Sequence, residues 1–270
     1  MSSNRLGFKQ FLNKIKSEKT LNVIVDSNIL IANSDELHSN HEQVRSFLES
    51  LYEATEVSLY TTVTTKAEFL DYQRRRFLTE GLFDLVGKYA KHGEITPNAK
   101  KVITQMKLRR GKRISDEEKR TTKTNDLFNV SVNYLRDSEI KDIKKSSRPR
   151  DVDKELGWLK ICQLFLSTKV AEQEEMLDSL CHYLSAHNDE QASLFNIRNI
   201  DWKKATHLSS VTGMGYSDAL VLNMFTATNM KYLVTLDYDL IYAVSISAKD
   251  KFVVLPDTRL SGFKQTLKHI

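Results

Sequence analysis

The sequence predicts an α/β protein: a parallel sheet with crossover helices, interrupted by one long helical insertion. Three observations lead there. Short β-branched runs, such as Val23-Ile24-Val25, alternate with stretches of helical spacing at both ends of the chain, the pattern of a parallel sheet. Glycine and proline are scarce, 9 and 3 in 270 residues, too few for the turn signal that an all-β fold needs every roughly 8–12 residues. Finally, residues 91–206 contain no convincing strand.

Taken in order, residues 1–20 form an N-terminal helix, with Phe8, Phe11, Leu12 and Ile15 on one stripe. Val23–Val25 is a strand apolar on both faces, which suits a buried parallel sheet, and it stops at Asp26. Val44, Phe47, Leu48 and Leu51 give 40–52 a helical stripe. The β-branched and aromatic run 57–65 reads as a second strand, and 66–90 as a helix broken near Gly81. In the insertion, Ser115 and Glu118 form a capping-box signature for a helix start. Residues 126–145, 156–166 and 170–187 carry helical periodicity, with a break at Pro149. The strand–helix pattern then resumes. Residues 217–229 read as a helix with Ser217 as N-cap, 231–240 as a segment whose strand ends at Asp237, and 251–257 as a last strand stopped by Pro256. The division is therefore an N-terminal helix (1–20), a discontinuous core (21–90 and 207–270) and a helical insertion (91–206).

Composition narrows the function classes. No apolar stretch approaches the roughly 18 residues of a membrane span, and the basic N-terminus lacks the apolar region of a secretory signal. Cys162 and Cys181 match neither a metal-ligand spacing nor a disulfide framework, so the expected compartment is a reducing cytoplasm. The net charge of +5 is unevenly spread: residues 101–150 hold 15 Lys/Arg against 7 Asp/Glu, leaving the rest slightly acidic. A local basic surplus suits a phosphate-bearing partner.

In open parallel sheets functional groups gather at the carboxyl ends of the strands. There the sequence places Asp26 after the first strand, Glu68 at the start of the helix after the second, Asp218 in the first turn of the late helix, and Asp237 with Asp239 after the late strand. Carboxylates brought together repel one another and call for a counter-charge. Hard oxygen donors favour Mg²⁺ or Mn²⁺. Asp at a strand end or helix start also caps and complements the dipole, so it is the set of four that carries the functional reading.

The segments VIVDSNILIA, TTVTTKAEFLDY, YSDALVLNMF and YLVTLDYDL together resemble the PIN domain, a family of metal-dependent nucleases. The resemblance covers about 21–90 and 207–258, and it implies a three-layer fold around a mainly parallel sheet. The family's four acidic positions match Asp26, Glu68, Asp218 and Asp237, with Asp239 as an accessory. Asn28 matches the family's Asp-x-Asn form, and Thr235 a hydroxyl beside the metal site. The stretch of about 150 residues between Glu68 and Asp218 departs from the compact toxin ribonucleases of the class.

The implied chemistry is phosphodiester hydrolysis with one or two Mg²⁺ or Mn²⁺ ions held by Asp26, Glu68, Asp218, Asp237 and Asp239. Asn28, Ser217 and Thr235 would orient those carboxylates. The expected partner is nucleic acid, RNA before DNA, with no membrane; the resemblance leaves room for an antitoxin or other regulatory protein and for a homodimer. Lys107, Arg109, Arg110, Lys112 and Arg113 form a dense basic run, Lys144, Lys145, Arg148 and Arg150 a second, and Arg74, Arg75 and Arg76 a further candidate, all suited to phosphate contacts that position a strand without reading it. The alternatives are a non-catalytic nucleic-acid-binding or scaffold protein on the same fold, and a structure-specific DNA nuclease. A haloacid-dehalogenase phosphohydrolase would need Asp where Asn28 stands. Trp158, Phe165 and Trp202 read as core aromatics rather than base-stacking ones, and Gly213-Met214-Gly215 as a lead-in to the Asp218 helix.

Overall fold

A computed structural model describes residues 4–88, 97–124, 134–146, 158–198, 200–248 and 250–260. The chain divides into two compact units. The first comprises 1–36, 40–69 and 177–270; the second comprises 37–39 and 70–176. Both long edges of the second unit fall inside helices, not at 91 and 206.

The first unit is an α/β unit around one parallel sheet. Its strands are β1 (Arg5–Gly7), β2 (Thr20–Val25), β3 (Glu56–Thr61), β4 (His182–Tyr183), β5 (Tyr232–Val234) and β6 (Phe252–Leu255), in the order β1-β6-β5-β2-β3-β4. All five pairings are parallel. β2 lies at the centre, and Val23, Ile24 and Val25 are fully buried, which is why the strand reads as an unbroken apolar run. From β2 the chain goes next to β3 on one side, while β5 leads to β6 on the other. The sheet's direction of growth thus reverses between β2 and β5. The helices of this unit are α1 (Phe8–Ile15), α2 (Ser27–Ser34), α3 (His41–Ala54), α8 (Trp202–Thr212), α9 (Tyr216–Ala227) and α10 (Tyr238–Ser247). Phe11 and Ile15 of α1, Leu51 of α3, Leu222 and Phe225 of α9 and Ile241 of α10 are fully buried. Each such side chain contributes about 1.5–3 kcal/mol through burial.

The second unit is helical. It draws on α4 (Val63–Lys88), α5 (Pro97–Thr124), α6 (Asp137–Ser146) and α7 (Trp158–Leu180); α4 begins and α7 ends in the first unit. Its core joins Leu78, Leu82, Ile103, Leu135 and Ile143. Thr79 bridges within it: its hydroxyl donates to Arg75 O at 2.7 Å and accepts from Leu135 N at 2.9 Å.

Several boundaries differ from the sequence expectations. The second strand ends at Thr61 rather than 65, because the Thr62 hydroxyl accepts from Thr65 N at 3.2 Å and starts a helix there. α4 is unbroken at Gly81, which instead admits the Phe165 ring: a Cβ there would run into it. Ser115 lies inside α5 and starts no helix. The helix expected to 187 ends at Leu180 and is followed by β4. The N-cap of α9 is Gly215, not Ser217. Pro149 and the start of the 156–166 segment lie outside the described residues.

Candidate functional site

The site grows from strand register. Val25 of β2 pairs with Val234 of β5, so the next residues, Asp26 and Thr235, stand side by side where the sheet's order reverses. Ligands of open parallel sheets bind at such a place. Asp26 N donates to Val234 O at 3.0 Å, extending the pairing by one step. The Asp26 side chain then accepts three hydrogen bonds. Its Oδ1 takes Ser27 N at 2.8 Å; its Oδ2 takes the Thr235 hydroxyl and the Asn28 amide, each at 2.7 Å.

Asp26 also caps α2, and Asp237 caps α10 by accepting from Asp239 N at 2.7 Å. The two caps are tied together. Asn28 Oδ1 accepts from Leu236 N at 2.9 Å, and Thr235 Oγ1 accepts from Asp237 N at 2.9 Å. Asn28 and Thr235 therefore bracket the segment between β5 and α10. Glu68, on the second turn of α4, accepts from the Ser27 hydroxyl at 2.8 Å. Ser27 is thus a residue of the network that the sequence reading passed over. Asp218 enters from the first turn of α9, with Ser217 just before it. Gly213 closes α8 in the left-handed conformation (φ 75°), and Gly215 starts α9 where a Cβ would come within 3.3 Å of Asp218 Oδ2. The glycine pair thus defines the lead-in to Asp218.

The electrostatics are those of crowded acids. Burial pushes the Asp26 carboxyl up to about 6; its hydrogen bonds from Thr235 and Ser27 oppose that, and the charges of Asp237 and Glu68 add to it. Burial, then the charges of Asp237, Asp26, Glu68 and Asp239, push Asp218 up to about 7. Asp237 is raised by burial too, against the backbone hydrogen bond from Asp239. Arg259 is a second residue the sequence reading missed. It donates to Leu236 O, lies 5.4 Å over the Tyr238 ring, and its charge offsets part of Asp237's shift. It falls after β6 in a short helical turn, with no motif to mark it.

The four acids thus feel one another's charge, yet they form no tight cage. Among the described residues no three His, Cys, Asp or Glu side chains are grouped closely enough to hold one metal ion between them. Asp239 is exposed at the rim.

The basic residues lie in the second unit. Lys107, Arg109 and Lys112 are exposed on α5. Arg110 is half-buried, its guanidinium 5.3 Å from the Phe83 ring centre. Arg113 is on the same helix, its side chain outside the described residues. Arg74 and Arg75 are less free for phosphate than expected: Arg74 pairs with Asp71 at 2.7 Å and Asp137 at 2.8 Å, and Arg75 with Asp71 at 3.4 Å.

Compared with known proteins, the chain matches no family model, no curated protein and no solved structure. No helix among the described residues is long and apolar enough to cross a membrane.

Whether these residues suit a cation turns on the donor set. It is all oxygen and mostly partly buried, and the carboxyls of Asp26 and Asp218 are raised in part by neighbouring acids, a repulsion a bound cation would relieve. Mg²⁺ is commonly bound through one or two carboxylates, with waters and substrate phosphates completing the shell. The donors fit that mode, and they do not fit a closed cage of three or more direct carboxylates.

Proposed function

We propose that the chain is a divalent-metal-dependent nuclease of the PIN type, hydrolysing phosphodiester bonds at the β2–β5 edge. The observation that carries the reading is the meeting of Asp26, Glu68, Asp218 and Asp237 within one another's electrostatic field at the point where the sheet order reverses. RNA is preferred over DNA on the resemblance of the four motifs alone.

Asp26 and Asp237 are the ligands of choice for Mg²⁺ or Mn²⁺, and Asp218 is the third candidate. Bound there, the ion would supply an acidified water and charge stabilisation on the phosphate. The chain's own residues supply the rest. Thr235 and Asn28 fix the Asp26 rotamer, so one carboxylate edge stays hydrogen-bonded inward. Glu68, anchored on Ser27, is placed to orient or deprotonate a water. The exposed cations of α5 would contact phosphates and hold a strand without reading its sequence.

A second reading, a non-catalytic nucleic-acid-binding protein on the same fold, is favoured by one observation: no three acids stand close enough to share an ion among the described residues. Mixed single-stranded RNA and DNA, incubated with Mn²⁺, decides between the two. Cleavage by the wild type and none by Asp26→Asn supports the nuclease. Cleavage that survives Asp26→Asn removes the metal-site assignment. No cleavage and no thermal stabilisation by Mn²⁺, with the RNA still bound in a gel shift, supports the second reading; an ion at a hundred times its Kd would add about 2.7 kcal/mol.

A further inference from the structure

We propose that the second unit carries a nucleotide pocket between α6 and the first turn of α7, in which a base lies on Trp158 and its phosphate is held by Lys141 and Lys144. The inference deepens the nucleic-acid reading but uses none of its carboxylates.

The cavity has a volume of about 370 Å³ and is lined by Arg74, Asp137, Ile140, Lys141, Lys144 and Trp158. That lies in the size range of small-ligand sites, about 300–1,000 Å³. Its lining divides by chemistry. Trp158 packs partly against the unit's hydrophobic core and also lines the cavity, so it offers an aromatic wall. Aromatic walls accept any base, because every base has a π-face. Ile140 adds apolar floor, being buried in the same core.

The charged part is unbalanced. Arg74 is already engaged by Asp71 and Asp137, so the one acid in the lining is neutralised by the one arginine. Arg74's hydrogen bond, helped by its own charge and those of Arg75 and Lys141, holds the Asp137 carboxyl below its ordinary value against burial. Two exposed lysines remain, one turn apart on α6. Lys145, not Lys144, is the one near Asp142, at 4.0 Å, and no carboxylate among the described residues pairs with Lys144. An aromatic wall beside two exposed ammonium groups suits a flat ring joined to a phosphate. Such a ligand could be a free nucleotide or one nucleotide of a strand.

Trp158 reports its own occupancy once the other tryptophan is removed. In a Trp202→Phe background with EDTA, its fluorescence is titrated with adenosine 5′-monophosphate, adenosine, inorganic phosphate and a nine-nucleotide single-stranded RNA. The expected result is saturable quenching by the monophosphate or the RNA. Adenosine and phosphate alone should bind at least tenfold more weakly. Lys141→Gln with Lys144→Gln should weaken nucleotide binding at least tenfold without moving Tm. RNA binding tenfold tighter than the monophosphate identifies a strand as the source, and comparable affinities identify a free nucleotide; both support the pocket. Three results overturn it: no saturable quenching by either nucleotide probe, quenching unaffected by the double substitution, or phosphate binding as well as the monophosphate. Because the titration runs without metal and is repeated in Asp26→Asn, its failure leaves the cleavage test standing, and the reverse.

Discussion

Replacing Asp26 by Asn should stabilise the metal-free protein at neutral pH and leave stability unchanged in mild acid. The magnitude follows from the site. Carrying a carboxyl from its ordinary 3.8 to about 6 on folding costs about 3 kcal/mol once the group is ionised in both states. The sign is that of a raised acid. The folded state holds the proton more tightly, so the cost is absent below 3.8, grows between 3.8 and about 6, and is complete above. Asn removes it. Asn also disturbs the hydrogen bonds: its oxygen keeps Ser27 N, its amide turns to the Thr235 hydroxyl, but two donors then face each other at Asn28. That mismatch costs roughly 1–2 kcal/mol. The net expectation is a gain of about 1–2 kcal/mol at pH 7.5. At pH 4.5 only about 1 kcal/mol of ionisation cost remains, and the mismatch cancels it. Urea unfolding of both proteins in EDTA at the two pH values measures the difference. An Asn variant less stable than wild type at pH 7.5, or a difference that ignores pH, refutes the account of a strained buried carboxylate.

Other outcomes follow from the same geometry. Thr235→Val removes the hydroxyl that donates to Asp26 and accepts from Asp237 N; it should cost about 1–3 kcal/mol in urea unfolding at pH 7.5. Gly81→Ala places a Cβ against the Phe165 ring and should lose about 1–3 kcal/mol to overpacking. Gly87→Ala, with open space around it, should gain about 0.5–1 kcal/mol, so the two Tm shifts should have opposite signs. Lys251 is buried, donates to Thr228 O at 2.9 Å and Met230 O at 2.6 Å, and burial lowers it to about 8. Its unfolded form keeps the proton to higher pH, so wild type should gain stability relative to Lys251→Met as pH rises from about 8 to 10.5. A pH-independent difference between those two would refute that.

What the sequence made legible was whatever had a strong period or a hard stop. Val23–Val25 was readable because burial on both faces leaves an unbroken β-branched run, and Pro256 marked the end of β6. α2 and α10 were not, since both are apolar on several sides and carry no helical stripe. β1 and β4, with three and two residues, are too short to show alternation; only their pairing with β6 and β3 makes them strands. Ser115 looked like a cap because capping chemistry is local, whereas α5 continues through it. At the site, the acids followed from strand ends, while Ser27 and Arg259 did not. Their parts depend on contacts with Glu68 and Leu236, 41 and 23 residues away, which no short motif records.

The sheet's strand order also sets a timetable. β2 leaves the ribosome early, but its partner β5 follows some two hundred residues later, after the whole helical unit has been made. At about 5–20 residues per second, Asp26 would wait roughly 10–40 s for Asp237 to be synthesised. The helical unit, ending at residue 176, is finished about sixty residues before Asp237, while the acidic edge is still unassembled. Asp26 and Asp237 can therefore meet only once almost the last strand of the sheet has been made.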